Sequence, residues 1–573
     1  MNKLNLQTSL KILLTGFFLL FLFLPVGSIF FTAFPFEGKD NWTVFLAVFN
    51  QDWQVAFANS LFFSILAATI ATLLAFLLAY GNNFTGINQR FLKSQSHVLQ
   101  LPMLMPTITY GFVLIYAFGT QGLWGKYLHH YFSIYGPSGV VLGFIIYILP
   151  PLFLLMNNSM RYLDTRLFII SRLMQDNIWQ SLKNTILQPM LPVIVVAFLQ
   201  GFFMSFTDFG IPTALAGQTP FITTLLYEGF MGTIPNFQYG AMIALTMLLP
   251  SIISIYILNR LQKKVVAFDQ TAQKNIRENK IRDCFFASMF LLTNVFILGI
   301  FAVLLIIPFV KMWPYDLVPT MAHFTVFRQD QTLLLTLKNS LLVAGLTAIF
   351  GTILAYTAAL FTAREKPNKL NQLIDSFATV TNSIPGMVLG IAYLLLFSGT
   401  ALHNGLPILI FVTMVHYFAT PYQMAKDGLQ KMNQNWENTG RLMGDSWLTT
   451  IRRVLIPNSK ITLLDMFSYY FVNGMVTISA LIFLTSANTM VMTAKLKELQ
   501  HFGRFNDIFF LSLSILIINI LVQGTIQLIK RSLTNEKENT RSNWTHYFSI
   551  IIRRLQQLAS RKRSTRRQSS DLH

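Results

Sequence analysis

Ionisable side chains are rare inside the apolar stretches of this chain, and Asp208 is the clearest one. It lies in the apolar run 192–215, where a charged group costs free energy and is by default a functional candidate. A second copy of this run has Thr477 at the matching position. Other polar residues on the two runs are Ser205, Asn473 and Ser479. Together they predict a polar translocation path, with local capping by Asp208 and interhelical hydrogen bonds as the alternatives.

The sequence predicts no catalytic centre and no metal site. His129 and His130 are adjacent, which does not put both on one helical face, and His416 stands alone. The single cysteine, Cys284, excludes an intrachain disulfide and a cysteine-based zinc site. The nearest approach to a Gly-x-x-x-x-Gly-Lys-Ser/Thr phosphate loop is Gly125-Lys126-Tyr127, which lacks the first glycine and the hydroxyl. Any ATP chemistry must therefore come from another chain.

The candidate path residues belong to a duplicated arrangement of elements. Short polar and proline-containing signatures recur in the same order on both sides of a basic stretch near the middle of the chain. The matching pairs are Asn59-Ser60-Leu61 with Asn339-Ser340-Leu341, Pro106 with Pro385, Gly111 with Gly390, and 172–176 with 441–445. Repeated halves commonly enclose a transport pathway between them.

Composition identifies the elements as membrane spans, because 53% of the residues are hydrophobic and only 12% are charged. A helix needs roughly 20 apolar residues to cross a bilayer. The stretches that qualify are Leu10–Phe34, Phe57–Tyr80, His97–Phe118, Gly139–Leu155, Pro192–Leu215, Tyr239–Leu261, Phe286–Val310, Leu337–Phe361, Leu373–Phe397, Leu406–Met424, Ile461–Leu484 and Ile508–Ile529. We therefore predict an all-α polytopic membrane protein with about twelve transmembrane helices, arranged as two repeated six-helix halves.

The basic residues give the domain organisation and the orientation. We predict a first transmembrane half at 1–265, a basic cytoplasmic linker at 266–284, a second transmembrane half at 285–532 and a basic cytoplasmic tail at 533–573. Lys and Arg are concentrated in alternate loops, so both termini are expected in the cytoplasm. This topology accounts for most of the net charge of +20 without nucleic-acid binding. In the tail, Arg561, Lys562 and Arg563 favour contact with anionic lipid headgroups, with partner docking as the alternative.

Two long cytoplasmic loops have a repeated pattern of small, apolar and proline residues. Gly444 permits a tight turn between two short helices. Ile451 and Val454 share a helix face and are expected to enter a groove on a partner. Candidate coupling residues in the second half are Glu437, Gly440, Gly444, Trp447, Ile451, Val454 and Pro457, and in the first half Arg172, Leu173, Gln175, Trp179 and Leu182. The first copy departs from the pattern, with Gln175 in place of the glycine and Gln188 in place of the proline.

This pattern resembles the cytoplasmic "EAA" loop of ABC importer permeases. Segment 382–393 is similar to the third-span signature of permeases for ferric iron, polyamines, thiamine and phosphonates. Segments 416–421 and 471–480 are most similar to 2-aminoethylphosphonate permeases, and 205–210 resembles ferric-iron permeases. The resemblance covers nearly the whole chain except the tail, and it implies the type I importer fold.

The resemblance also implies the partners. A permease of this kind is a pore subunit of the bacterial cytoplasmic (inner) membrane and is not an enzyme. Two cytosolic ABC ATPase subunits, which bind the ATP and Mg, would grip the loops, and an extracytoplasmic binding protein would deliver the solute. No cofactor is expected in this chain. The cargo implied is 2-aminoethylphosphonate, with ferric iron, thiamine or a polyamine as alternatives.

Two other classes of protein are weighed against this interpretation. A secondary transporter with twelve spans would couple to ions through buried charges, which are few here, and it leaves the paired loops unexplained. A membrane enzyme would need clustered catalytic His, Asp or Glu residues near one membrane face. An ATPase and a binding protein encoded beside this chain would favour the importer.

Overall fold

The computed structural model describes residues 6–35, 46, 48–120, 122–128, 134–164, 166–262, 279–403 and 405–534. Several sequence predictions lie outside these residues. They concern His129, His130, most of the basic linker and the C-terminal tail.

The described chain is helical, as predicted, with one small two-stranded sheet. Eight of its helices are long and apolar enough to cross a membrane, and three bent helix pairs raise the number to 11. Each of the twelve predicted stretches overlaps a long helix or a bent helix pair, which we number as spans 1 to 12, but spans 5 and 11 end at Phe206 and Val476, before the predicted Leu215 and Leu484. The remaining segment is span 11, whose helix has only 17 residues and measures about 26 Å.

The spans of the first half have the following bounds. They are span 1, Leu6–Ala33; span 2, Gln51–Phe84; span 3, Gln89–Leu104 followed by Thr107–Phe118; span 4, Pro137–Arg161; span 5, Ile178–Phe206; and span 6, Phe237–Gln262. Shorter helices are Leu123–Leu128, Arg166–Leu173, Gly210–Leu215 and Ile222–Met231.

The second half repeats this order. Its spans are span 7, Lys280–Phe309; span 8, Gln331–Arg364; span 9, Lys369–Ser383 followed by Gly386–Phe397; span 10, Leu406–His416 followed by Ala419–Gln430; span 11, Lys460–Val476; and span 12, Phe505–Thr534. Shorter helices are Ala322–Gln329, Asn435–Leu442, Trp447–Thr450, Ile456–Asn458 and Met492–His501, and the strands Val310–Met312 and Asp316–Pro319 pair antiparallel.

Proline breaks spans 3 and 9 at the same place. Pro106 and Pro385 each precede the first residue of a new helix, and the residue before each proline is extended. Proline has no backbone N–H and forces the preceding residue out of the helical region. The helix axis bends by 106° in span 3 and by 108° in span 9, so the sequence repeat produces the same bend twice.

The repeated Asn-Ser signature holds a returning helix in each half. The Ser60 hydroxyl accepts a hydrogen bond of 2.8 Å from the backbone N–H of Ile222. At the matching position, the Ser340 hydroxyl accepts one of 2.7 Å from the N–H of Met492. The neighbouring side chains add hydrogen bonds to the same segments: Asn59 to the Pro220 carbonyl, and Asn339 to the Asn488 and Met490 carbonyls. Spans 2 and 8 therefore fix helices Ile222–Met231 and Met492–His501.

The first span of each half packs against the other half. Span 1 lies against span 9, where the Tyr393 hydroxyl donates a hydrogen bond of 2.6 Å to the Phe21 carbonyl. Span 7 lies against span 3, where the Asn294 amide donates one of 3.1 Å to the Gln95 carbonyl. This exchange of the first spans joins the two halves in one unit.

Charged contacts join the same two halves at the span ends. Lys11 of span 1 is buried and forms an ion pair with Glu365, at the end of span 8. In the mirror position, the Asp283 carboxylate of span 7 accepts a hydrogen bond of 3.1 Å from the N–H of Gly86, just after span 2.

An ion-pair cluster joins the start of span 8 to the start of span 12, at the end of span 8 opposite to Glu365. Asp330 caps the first turn of span 8, and Arg504 lies 3.2 Å from Asp330 and 2.6 Å from Asp507. Partial burial acts to raise the pKa of Asp330, but hydrogen bonds from Thr332, Leu333 and Arg504 outweigh it and hold this pKa below its usual value. The cap is therefore ionised at neutral pH.

We expect Ser340→Ala to destabilise the protein, because the buried N–H of Met492 would lose its acceptor, at a cost of about 1–3 kcal/mol. Thermal unfolding of the purified chain in detergent measures this effect. Ser376→Ala is the control, since that exposed hydroxyl bonds only to the Gln372 carbonyl of its own helix. Equal melting temperatures for the two variants would show that the Asn-Ser contact is not structural.

Candidate translocation path and coupling loops

Spans 5 and 11 end early, at Phe206 and Val476, and Asp208 lies at the first of these ends. Its carboxylate accepts a hydrogen bond of 2.8 Å from the N–H of Ile211 and another from the Thr107 side chain. Asp208 therefore caps the short helix Gly210–Leu215 and is only 9% exposed. The structure thus contains the local capping that is the alternative to a path role for Asp208.

In each half, the bent span (3 or 9) contacts the segment that follows span 5 or 11, and we call this contact a crossing. A hydroxyl residue faces a glycine at each crossing, but the two residue types are swapped between the halves. A Cβ on Gly210 would lie 2.3 Å from the Thr107 hydroxyl oxygen. A Cβ on Gly386 would lie 2.5 Å from the Ser479 hydroxyl oxygen. Gly386 is the repeat equivalent of Thr107, and Ser479 is that of Gly210. Each crossing thus contains one hydroxyl, supplied by span 3 in the first half and by the segment after span 11 in the second.

The repeated glycines of spans 3 and 9 permit the same close approach. A Cβ on Gly111 would lie 2.3 Å from Cβ of Ala214, and one on Gly390 would lie 2.5 Å from the Ala480 carbonyl oxygen. The repeated Pro-Gly spacing therefore has a steric cause in both halves. Only a residue without a side chain allows the broken span to contact the returning segment this closely.

Tyrosines from both halves lie near Asp208. Tyr110 and Tyr147 of the first half, and Tyr417 of the second, are close enough to Asp208 to interact with it electrostatically. The Tyr417 ring lies 4.5 Å from that of His416 and 6.2 Å from that of Tyr469. None of these tyrosines is among the path residues predicted from sequence, although Tyr417 lies in the segment 416–421, which resembles 2-aminoethylphosphonate permeases. Tyrosine in a span is also ordinary packing, so only the contact between the two halves distinguishes them.

The predicted path residues differ in exposure. Asn473 and Ser479 are half-buried, whereas Thr477 is 5% and Ser205 is 1% exposed. The Ser205 hydroxyl donates a hydrogen bond of 2.8 Å to the Gly201 carbonyl of its own helix. Ser205, like Thr477, is therefore buried inside the protein in this structure, and a path role for either residue stays a prediction. Asn473 donates to the Tyr469 carbonyl, and its remaining exposure keeps it a candidate.

The two coupling loops share one turn geometry. Helices Arg166–Leu173 and Asn435–Leu442 both end in a Schellman motif, with hydrogen bonds from Asp176 N–H to the Ser171 carbonyl and from Asp445 N–H to the Gly440 carbonyl. The left-handed residue is Gln175 in the first loop, at φ 53°, and Gly444 in the second, at φ 83°. Gln175 thus adopts the backbone conformation of the glycine that it replaces, at a steric cost.

Both loops expose large apolar side chains. Leu173 is 78% and Leu442 is 89% exposed, and Trp179 is 77% exposed. Ile451 is only 7% exposed, so its side chain packs inward and cannot enter a partner's groove as expected. Gly440 has an internal role as well, because a Cβ there would lie 3.2 Å from the Thr450 hydroxyl oxygen.

Other predicted loop residues have mixed exposure. Trp447, Val454 and Pro457 are half-buried in the second loop, as is Leu182 in the first, and Arg172 is exposed. One π-helical turn lies near the start of span 5, at Lys183–Leu187, and another lies between the second loop and span 11, at Ile451–Leu455. π-Turns inside α-helices are frequent at functional sites. Here both occur where a loop movement would reach the end of a span.

Different contacts attach the two loops to spans 2 and 8. The Arg364 guanidinium bonds to both carboxylate oxygens of Glu437, at 2.9 and 2.7 Å. At the matching positions in the first half, Phe84 and Phe168 pack with ring centroids 5.4 Å apart. An ion pair and an aromatic pair therefore occupy the same place in the repeat.

Comparisons with known proteins agree with this organisation. The family of binding-protein-dependent transport system inner membrane components matches residues 351–535, which include the second loop. The chain is 24% identical to the ferric transport system permease protein FbpB of Actinobacillus pleuropneumoniae, over 86% of this chain and 73% of the relative. The provisionally named ferric transport system permease protein FbpB 1 of Haemophilus influenzae is 24% identical, over 86% of this chain and 79% of the relative.

A shorter relative fits the repeat. The molybdenum transport system permease protein ModB of Haemophilus influenzae is 26% identical, and the match covers 96% of that protein but only 38% of this chain. A protein of that length corresponds to one half of the present chain.

We expect Gly390→Ala to destabilise the protein by about 1–3 kcal/mol, because the new methyl group would meet the Ala480 carbonyl. Gly345→Ala is the matched control, since a Cβ on that glycine has nothing within 4 Å. Thermal unfolding in detergent compares the two variants. The close approach of span 9 and the returning segment would be refuted if both variants melt like the wild type.

Introducing a glycine into the first coupling turn and removing the glycine from the second should have opposite effects on stability. Gln175→Gly should stabilise the first loop, and Gly444→Ala should destabilise the second, each by about 1 kcal/mol, because both positions have positive φ. Limited proteolysis of the loops, with thermal unfolding as a second measurement, detects both changes. Destabilisation by Gln175→Gly would mean that the glutamine side chain has a role beyond the turn.

Proposed function

Because this chain belongs to the binding-protein-dependent ABC importer permeases, as a member with both halves fused in one polypeptide, we propose that it imports a small solute at the expense of ATP hydrolysed by partner subunits. The observation that carries this proposal is the pair of matching loops, each with an exposed Leu-Met pair at a Schellman turn. One loop per half suits two ATPase subunits. The chain itself is the membrane pore.

The proposed orientation follows the basic loops. Arg172, Lys183, Arg441, Arg452 and Arg453 lie on or beside the coupling loops, and basic residues favour the cytoplasmic side. The ATPases would bind there, and both termini would lie in the cytoplasm of a bacterial inner membrane. The hairpin Val310–Pro319 would then lie on the outer side, where an extracytoplasmic binding protein delivers the solute.

In the proposed mechanism, movement of the ATPase subunits passes through the coupling loops to spans 5 and 11. Closure of the ATPases would move the coupling loops, and the π-turns connect those loops to spans 5 and 11. These spans end beside Asp208 and Thr477, where the two halves meet. Tyr147 and Tyr417 are half-buried near this point, and their hydroxyls would offer hydrogen bonds to a solute without strong net charge.

For the cargo, we favour ferric iron, because the two relatives that align over 86% of this chain are named for ferric transport. Asp208 and the nearby tyrosines supply oxygen atoms, which suit a hard cation. 2-Aminoethylphosphonate is the second candidate, since the segments 416–421 and 471–480 resemble permeases for that compound. Its amino group and phosphonate could contact the carboxylate and the tyrosine hydroxyls.

Uptake into proteoliposomes tests the function and separates the cargoes. The vesicles would contain this chain with its ATPase subunits, and its binding protein would be added outside with radiolabelled ferric iron or 2-aminoethylphosphonate. ATP-dependent uptake of iron alone is the expected result. Uptake of the phosphonate alone would replace the cargo but keep the importer, and uptake of both solutes without ATP would contradict the importer itself.

We expect Gly444→Asp to abolish ATP-driven uptake while the spans remain inserted. The change puts a negative charge into the exposed apolar loop and a side chain at φ 83°. Gln372→Glu is the control, because it introduces the same charge at an exposed residue on helix Lys369–Val380. Uptake at the wild-type rate by Gly444→Asp would rule out a coupling role for this turn.

A further inference from the structure

The two coupling loops share one exposed apolar pair. Leu173 and Met174 of the first loop are 78% and 73% exposed, and Leu442 and Met443 of the second are 89% and 79% exposed. Both pairs sit at the end of a helix, just before the left-handed residue of the turn. This common feature explains how either loop can meet the same kind of partner surface.

Outside this pair, the first loop exposes more apolar surface. Ile169 and Ile170 are 59% and 53% exposed, and their repeat equivalents are the polar Asn438 and Thr439. Trp179 is 77% exposed, whereas the equivalent Leu448 is smaller and 57% exposed. Large exposed apolar side chains clustered on one short segment are typical of a protein-binding surface.

Of the two tryptophans of the second loop, Trp436 is 40% exposed, whereas Trp447 packs against the protein itself. Asn177 and Ser446 cap the two following helices, which places Trp447 level with Ile178. The Trp447 ring stacks on Phe361 of span 8, with centroids 5.7 Å apart and ring planes 5° apart. Ile178 is instead 87% exposed.

Polar contacts also tie the second loop to its span. Arg364, the last residue of span 8, bonds to the Glu437 carboxylate, to the Leu429 and Met432 carbonyls at 3.0 and 2.8 Å, and to the Asn433 carbonyl at 3.2 Å. The Arg364 side chain is only 4% exposed. A buried ion pair of this kind fixes one geometry, and breaking it leaves an unpaired charge. The Phe84 and Phe168 pair of the first half gives no such directional constraint.

We infer that the two loops divide their roles, the first supplying most of the affinity for the ATPase subunits and the second transmitting their movement to span 8. The inference rests on the proposed importer function and names the surface that each ATPase recognises. The partner surface for the first loop is an apolar groove that takes Leu173, Met174 and Trp179. The second loop places the same Leu-Met pair in a similar groove but is attached to the pore through Arg364 and Trp447.

Residue exchange between the loops tests the affinity difference. In one variant, Ile169→Asn, Ile170→Thr and Trp179→Leu give the first loop the residues of the second. In the matched variant, Asn438→Ile, Thr439→Ile and Leu448→Trp do the reverse. All six positions are exposed, so neither set disturbs a packed core. The probe is the ABC-type ATPase subunit from the source organism that co-purifies with the wild-type chain, titrated onto the chain in nanodiscs.

We expect roughly tenfold weaker ATPase binding for the first variant and tighter binding for the second. The first variant removes a tryptophan and two isoleucines that would be buried in the complex, where such residues form a binding hot spot. Unchanged affinity in both variants would overturn the division of roles but leave docking intact. Replacing the shared residues, as in Leu173→Ala with Leu442→Ala, separates the two failures. If that variant also binds normally, or if no ATPase binds the wild-type chain, the proposed docking function itself is wrong.

The transmission role has its own measurement. Glu437→Gln should leave ATPase binding within about twofold of wild type, while ATP hydrolysis no longer responds to the loaded binding protein. Phe168→Leu, at the matching position of the first loop, should retain that response. An equal response in both variants would contradict the role given to Arg364 and Glu437, and thermal unfolding checks that each variant is folded.

Discussion

A helix that ends inside a membrane leaves backbone groups that no water can satisfy, and the protein itself must provide their partners. This chain meets that requirement twice. Spans 5 and 11 end early, and later helices begin at Ile222 and Met492, whose N–H groups bond to Ser60 and Ser340. These contacts hold the helices Ile222–Met231 and Met492–His501 against spans 2 and 8 in both halves.

Much of this arrangement could be predicted from sequence, because the repeat and the apolar stretches are local signals. The twelve stretches, the bends after Pro106 and Pro385, and the tight turn at Gly444 follow from residue type and spacing. The partners of Asn59 and Asn339 could not be predicted, since they lie more than a hundred residues away along the chain. Exposure within a helix was also out of reach, which is why Ile451 was placed on a partner-facing surface although it packs inward.

The path residues illustrate a second limit. A polar residue in an apolar run is visible in sequence, but the direction of its side chain is not. Ser205 bonds within its own helix, while the tyrosines that interact electrostatically with Asp208 come from spans 3, 4 and 10 and have no shared signature. Departures from the repeat are more informative. Thr107 and Ser479 exchange places with glycines, and Arg364 with Glu437 replaces an aromatic pair, so two halves with one architecture differ in their local contacts.

The central claim is that both coupling loops contact ATPase subunits, and cross-linking measures this contact most directly. Cysteines at Leu173 or Leu442, in a Cys284→Ser background, would be treated with a short bismaleimide after coexpression with the ATPase carrying a single cysteine in its predicted groove. We expect a permease–ATPase adduct from each position, in amounts that change on ATP binding. The absence of adducts from both positions, with an intact complex, would contradict it.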